Sequence, residues 1–519
     1  MKEDHGSGST PGRPPVLDIA LTAAITTCIF LLFRPWEQPL VRDISIWDHV
    51  AQVIADGGVP YRDVVEIKTP LSAYLAAPAI LFGRLLGIAD VVSIRIVFFV
   101  IGVVLVLAVR ALGARLFDAD VGLVASLMTA GIDPLAEWSA SGIQPKVPFV
   151  LFGIVAILLA MRDRPVASGA VVALSALCWQ PGCLFILPAA LALGPGLRRL
   201  TRLLLGFLLP LGLCVLYFTL AGAVADLYNW TIAFPFGPYV AKYIRSLSGA
   251  RDTCWKLLTT YYSREIPLLA ISAAGLAWSL ATAVRRRIDR TEPLRLMLAG
   301  IAAPACLVGL VLLNVQGESD LFPIFPFIAP FASFALVHCM RLALSPGLAL
   351  FVSAAVCIGW SASDSLFYRL PSTLQDEIEA LEPAAALLGP NDRVWAHGDV
   401  QFLVLFNLRS VSPHLYLDRG KDAFLDRIEP DGFRKMLDGL EAAAPKIVVL
   451  GRKGTMQRDD EVVAWVRSHY VLGRRIMLRY GRDGRFIYGL RVYVRKGLAL
   501  PPGWGIRTAR DAEPVEAAE

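Results

Sequence analysis

The chain has 519 residues, 55% of them hydrophobic and only 18% charged, with 50 basic and 44 acidic side chains giving a net charge of +6. Soluble proteins carry about 25% charged residues, so a wholly soluble chain is excluded, as are disordered, collagen-like and disulfide-framework classes. The shortfall is uneven, because 43 of the charged residues lie after residue 370, marking a polytopic membrane part followed by an ordinary soluble one.

Residues 1–15 are polar and Gly/Pro-rich and read as a disordered cytoplasmic terminus. Val16–Phe33 is the first apolar run, and with no small-residue cleavage site after it, it reads as an uncleaved span. Further runs lie near 91–110, 119–132, 143–161, 166–178, 183–194, 203–221, 266–284, 294–314, 321–340 and 347–364, about eleven in all. The two around 166–194 are short, and are expected as a hairpin turning at Trp179-Gln180-Pro181-Gly182. Two long loops, 34–90 and 222–265, interrupt this series. Ile44–Ala55 and Thr69–Leu86 have apolar faces of helical period, predicting helices that lie in the membrane interface, broken apart by Gly57-Gly58-Val59-Pro60. Residues 16–366 are thus expected as the membrane domain. After it, helical periodicity near 372–388, 431–444 and 459–469 alternates with strand-like 393–398, 446–451, 474–480 and 486–495. That predicts a small α/β domain over 367–497 and a disordered acidic tail over 498–519.

Arginine placement orients the chain. Arg110, Arg115, Arg162, Arg164, Arg198, Arg199, Arg202, Arg285, Arg286, Arg287, Arg290, Arg295 and Arg341 fall in loops on one side. The loops 133–142 and 315–320 on the other side contain Asp133, Glu137, Glu318 and Asp320 and no Lys or Arg. By the positive-inside rule the N-terminus is cytoplasmic, and the long loops and C-terminal domain lie on the outer side of the membrane. The +6 is then a record of topology and implies no nucleic-acid partner. Seven of the eight cysteines sit in or beside apolar stretches, and no ligand spacing appears, so neither zinc nor disulfides are expected.

Chemistry is expected in the first long loop. Asp43 follows the first span, Asp48 lies five residues on, and Arg62, Asp63, Glu66 and Lys68 come after the glycine turn. A carboxylate at the water–lipid boundary can serve as a general base toward a hydroxyl, and Lys68 or Arg62 could hold a phosphate. Each could equally be a merely solvated loop charge, and Asp133, beside Pro134, could merely start a helix.

The stretch Asp43-Ile-Ser-Ile-Trp47-Asp-His-Val-Ala51, then Gly57-Gly58-Val59-Pro60-Tyr61-Arg62-Asp63, then Lys68-Thr69-Pro70-Leu71 resembles the first loop of GT-C glycosyltransferases. The lineage it resembles is that of protein mannosyltransferases and the aminoarabinose transferase of lipid A. Ile44 and Thr69 stand where that lineage has Glu and Pro, Gln180 where Lys is common, and Gln144 where many members carry a second acid. The resemblance implies about eleven transmembrane helices with a C-terminal α/β domain, and transfer of a sugar from a polyprenyl phosphate to a glycan, lipid or protein acceptor. The anomeric centre would be inverted. Asp43 would be the base, with Asp48 and Asp63 as further catalytic candidates, Lys68 and Arg62 the phosphate contacts, and Glu137 or Asp133 the second acid. No cofactor is implied beyond an optional divalent cation, and no protein metal site. Arg245, Lys242 and Tyr239 of the second long loop are further donor-site candidates. The competing readings are a non-catalytic relative that binds a polyprenyl lipid, and a lipid or solute transporter.

Overall fold

A computed structural model describes residues 15–40, 42–243, 246–285, 291–366, 368–417, 419–451, 458–480, 486–502 and 504. The two terminal segments predicted as disordered fall largely outside this set, as do Arg245, Arg286, Arg287 and Arg290. Each of the eleven apolar runs forms helix. In chain order these elements are α1 (Pro15–Leu32), α2 (Arg42–Ala55), α3 (Leu71–Leu85), α4 (Asp90–Leu116), α5 (Ala119–Ala130), α6 (Asp133–Ser141), α7 (Lys146–Met161), α8 (Pro165–Cys178), α9 (Ile186–Leu193) and α10 (Leu197–Leu220). There follow α11 (Val224–Tyr228), α12 (Val240–Tyr243), α13 (Leu247–Tyr261), α14 (Ile266–Arg285), α15 (Thr291–Asn314), α16 (Phe325–Ala343) and α17 (Pro346–Ser365). Among the described residues six helices are long and apolar enough to cross a bilayer, or seven if the bent pair α5–α6 is one span. The shorter apolar helices α1, α7, α8 and α9 complete the bundle.

Small residues let these helices approach closely, as membrane helices need where no hydrophobic effect drives them together. A Cβ on Gly169 of α8 would lie 1.9 Å from the Leu203 carbonyl oxygen of α10, and one on Gly206 would lie 2.1 Å from that of Val166. Elsewhere α10 leaves Leu204, Leu205, Leu208, Leu209 and Leu213 exposed, the surface a helix presents to lipid. Residues 133–142, expected as a loop, instead form α6, bent 64° from α5.

The C-terminal region carries α18 (Leu374–Ala385), β1 (Val394–His397), α19 (Gln401–Leu405), α20 (Lys421–Ile428), α21 (Gly432–Ala443), β2 (Ile447–Leu450), α22 (Asp459–His469), β3 (Tyr470–Tyr480) and β4 (Phe486–Arg495). The sheet order is β1-β2-β4-β3, with β1 and β2 parallel and the other pairs antiparallel. Alternate residues of a strand point to opposite faces. Val394, Ala396, Ile447 and Val449 accordingly join one apolar cluster, and Trp395, Val448 and Leu450 another.

The first cluster also contains Ile44, Trp47, Val50 and Ala51 of α2. The C-terminal region meets the first-loop helix through α19, whose Phe402 and Leu403 belong to the same cluster. This changes one expectation: α2 does not lie open in the interface but is buried along most of its length between α3, α4 and α19. Gln52 Nε2 donates to the Val404 carbonyl at 3.0 Å, and the Val65 N–H donates to Pro413 O at 2.8 Å, fastening the loop to this region. On the second face, Trp230, Phe234 and Tyr239 of the loop after α10 pack with Trp395, Leu417 and Phe424.

Candidate functional site

A small cleft opens where the first loop meets the turn before α7. Trp47, Tyr61, Glu66, Lys68, Ser72 and Ile143 are among its lining residues. The chain is shaped here by a tight turn after α2. Gly57 takes φ +84°, and Tyr61, buried at 2% exposure, is held at φ 71°, a conformation non-glycine residues adopt rarely. Its hydroxyl donates to the Lys68 carbonyl at 2.8 Å, which fixes the following segment. That segment is stapled again from α8 and the turn after it: Thr69 Oγ1 donates to Ala176 O at 2.8 Å, and Gln180 Nε2 to Ile67 O at 2.6 Å. Gln180, standing where the resembled lineage often has lysine, thus holds the loop that carries Lys68.

Lys68 reaches over the Trp179 ring with Nζ 5.3 Å from its centroid, and Lys146 lies 4.9 Å from the same ring. Both distances suit cation–π attraction. Burial, with the Lys146 charge adding to it, holds the Lys68 ammonium down at about 8, against the opposing pull of Glu66, Asp320 and Asp43. Lys146 is matched by Asp320, whose Oδ1 is 2.6 Å from Nζ, and it also donates to Ser319 Oγ at 2.8 Å. The other Asp320 oxygen accepts the Gln316 N–H at 2.8 Å. Lys68 therefore carries the charge that an anion in the cleft would meet. Asp43 is exposed in the first turn of α2, where the helix dipole favours an anion, and its charge is felt at Lys68.

The remaining predicted residues sit elsewhere. Asp48 is fully buried on the far side of α2: its Oδ1 accepts the Ile143 N–H at 3.0 Å, and Oδ2 has no hydrogen-bond partner among the described residues. Burial pushes its carboxyl up to about 7, although the Ile143 N–H and the Arg95 charge oppose the rise. Arg62 and Asp63 form a bidentate pair at 2.9 Å, and Asp63 also accepts the Val59 N–H at 2.7 Å while Arg62 donates to Ala221 O. The Arg62 guanidinium holds the Asp63 carboxyl below its usual range. Asp133 accepts two contacts of 2.7 Å from Arg264, and Glu137 accepts the Tyr368 hydroxyl at 3.1 Å. None of these five residues lines the cleft.

Lys146 and Asp320 were not singled out from the sequence. One signal was there to find: Lys68 and Lys146 are the only lysines between Lys2 and Lys242, in a chain that otherwise uses arginine. Tyr239 lies against the C-terminal region, where Arg419 Nη1 donates to its hydroxyl at 2.6 Å. Among the described residues no group of three or more His, Cys, Asp or Glu side chains is gathered as a metal ion would require.

No protein-family model matches this chain, and no curated protein does. Solved structures do. ArnT from Cupriavidus metallidurans, crystallised bound to undecaprenyl phosphate, aligns at TM-score 0.58 over 92% of this chain and 98% of its own, with 14% identity. The Archaeoglobus fulgidus oligosaccharyltransferase AglB, in complex with an inhibitory peptide and a dolichol-phosphate, aligns at TM-score 0.51 over 94% and 75%, with 12% identity. The chain therefore shares the fold of these two proteins: a polytopic helical membrane part with a small C-terminal sheet, the architecture that the first-loop resemblance implied.

Proposed function

We propose that this protein is a membrane glycosyltransferase that moves a sugar from a polyprenyl-phosphate donor to an acceptor on the outer face of a bacterial inner membrane. The observation that carries the reading is the cleft at the first loop, with Lys68 on its wall and the exposed Asp43 carboxylate nearby, in a fold shared with an ArnT bound to undecaprenyl phosphate. Residues 16–366 form the membrane domain in this reading, and 367–497 the outer domain that covers the loop. The N-terminus is cytoplasmic, on the side of the arginine-rich loops.

The reaction is a single displacement. An acceptor hydroxyl attacks the anomeric carbon from the face opposite the phosphate, the bond from that carbon to the phosphate oxygen breaks, and the configuration inverts. Asp43 takes the hydroxyl proton, and Lys68 offsets the charge that gathers on the departing polyprenyl phosphate. Asp48, enclosed and bonded to Ile143, acts at most by shaping the backbone beside the cleft. The acceptor is a glycan, lipid or protein of the outer face.

The test replaces Asp43 with Asn and follows addition of sugar to outer-face glycan in cells that carry the variant as the sole copy. Loss of one sugar at unchanged protein level is expected, with Asp48→Asn retaining transfer. Undiminished glycosylation by Asp43→Asn would remove that residue as the base.

A further inference from the structure

Glu66 lines the cleft and is almost fully buried, and its two oxygens are held from different parts of the chain. Oε1 accepts the Lys68 backbone N–H at 3.1 Å, and Oε2 accepts the Tyr416 hydroxyl at 3.1 Å. Tyr416 belongs to the C-terminal region, and it is placed there rigidly. The segment before it runs along β1, with the Val411 N–H on Val394 O at 2.9 Å and the Gly398 N–H on Leu415 O at 2.7 Å. Lys421 Nζ lies 3.0 Å from the centroid of the Tyr416 ring and is itself 1% exposed. A buried cation on that face, facing Trp230 at 5.6 Å as well, leaves the phenol little freedom to swing.

We propose that Tyr416 is a positioning residue: from the sheet domain it fixes the Glu66 carboxylate beside Lys68, so that this domain is a working part of the donor cleft. Tyr416 touches no substrate in this scheme. It acts through Glu66, whose charge favours the charged form of the neighbouring ammonium. The other ionisable groups acting on Lys68 are Lys146, Asp320 and Asp43, and none of them is held by the sheet through Tyr416. The inference rests on the donor site proposed above.

The test uses the full-length protein in lipid nanodiscs and undecaprenyl phosphate as the probe, with binding measured from pH 6 to pH 10. Wild-type protein is expected to lose binding as Lys68 discharges. In Tyr416→Phe the carboxylate is released, so the pH midpoint should fall by about half a pH unit or more, as expected when a neighbouring opposite charge recedes. Glu66→Gln, which deletes the charge, should move it in the same direction. Lys421→Met, which keeps the phenol but frees its ring, should give a smaller fall and serves as the second variant if Tyr416→Phe does not fold. A midpoint that falls in Glu66→Gln but stays at the wild-type value in Tyr416→Phe or Lys421→Met overturns the positioning role. So does a midpoint that moves in no variant. Absence of binding by the wild-type protein itself defeats the donor reading instead.

Discussion

The charge state of Lys68 sets a pH dependence that can be worked out in advance. Burial beside Lys146 holds its ammonium at about 8, so the free cleft is mostly cationic at pH 7 and mostly neutral at pH 9. A phosphate that binds only the cationic form sees an apparent dissociation constant scaled by one plus ten to the power of pH minus pKa. Between pH 7 and pH 9 that factor grows about tenfold, or about 1.4 kcal/mol of lost binding. The sign follows from the depressed value: affinity is held below about pH 8 and falls as pH rises. Undecaprenyl phosphate binding to nanodisc-embedded protein measures this directly. Lys68→Arg keeps its charge throughout the range, because a guanidinium does not deprotonate in proteins, and its curve should be flat from pH 7 to pH 9. A flat wild-type curve, or the same tenfold fall in Lys68→Arg, would refute the argument.

Other outcomes follow from the geometry. Asp320→Asn strips the carboxylate from Lys146, whose side chain is 7% exposed, and leaving a buried charge uncompensated costs about 3–5 kcal/mol. Thermal melting in detergent should show a clear loss that the Asp320→Asn/Lys146→Met double variant largely reverses; a double variant as unstable as the summed singles would contradict this. Gly206→Leu forces a side chain into the Val166 backbone, so the yield of folded, monodisperse protein should collapse, whereas Gly212→Leu, with open space around it, should be tolerated.

Much of this architecture could be read before any coordinates. The apolar runs became helices because twenty-odd apolar residues have few other solutions in a bilayer. The strands at Val394 and Ile447 showed themselves by short β-branched runs between turns. Within the site, sequence reasoning went only as far as local period allows. Asp43 and Asp48 are five residues apart on α2, which sets them about 140° apart around a helix axis. They could not share one face, and the structure has one exposed and the other buried. Which of the two would be buried depended on the turn before α7, whose Ile143 N–H bonds Asp48 from 95 positions away. The ion pair of Lys146 with Asp320 spans 174 positions, and no periodicity within either segment points to the other.

The joining of α2 to the C-terminal apolar cluster through α19 also has a meaning in time. Ribosomes add about 5–20 residues each second, so about 20–90 s separate the appearance of Ala55 from that of Arg495. For most of that interval Ile44, Trp47 and Val50 lack the C-terminal part of their cluster, although the helices around them are already being inserted. The residues that line the cleft are among the first synthesised, whereas Tyr416, which holds Glu66, comes late. A nascent chain released early would carry Asp43 on an uncovered apolar helix, the kind of surface that quality-control proteases and chaperones recognise.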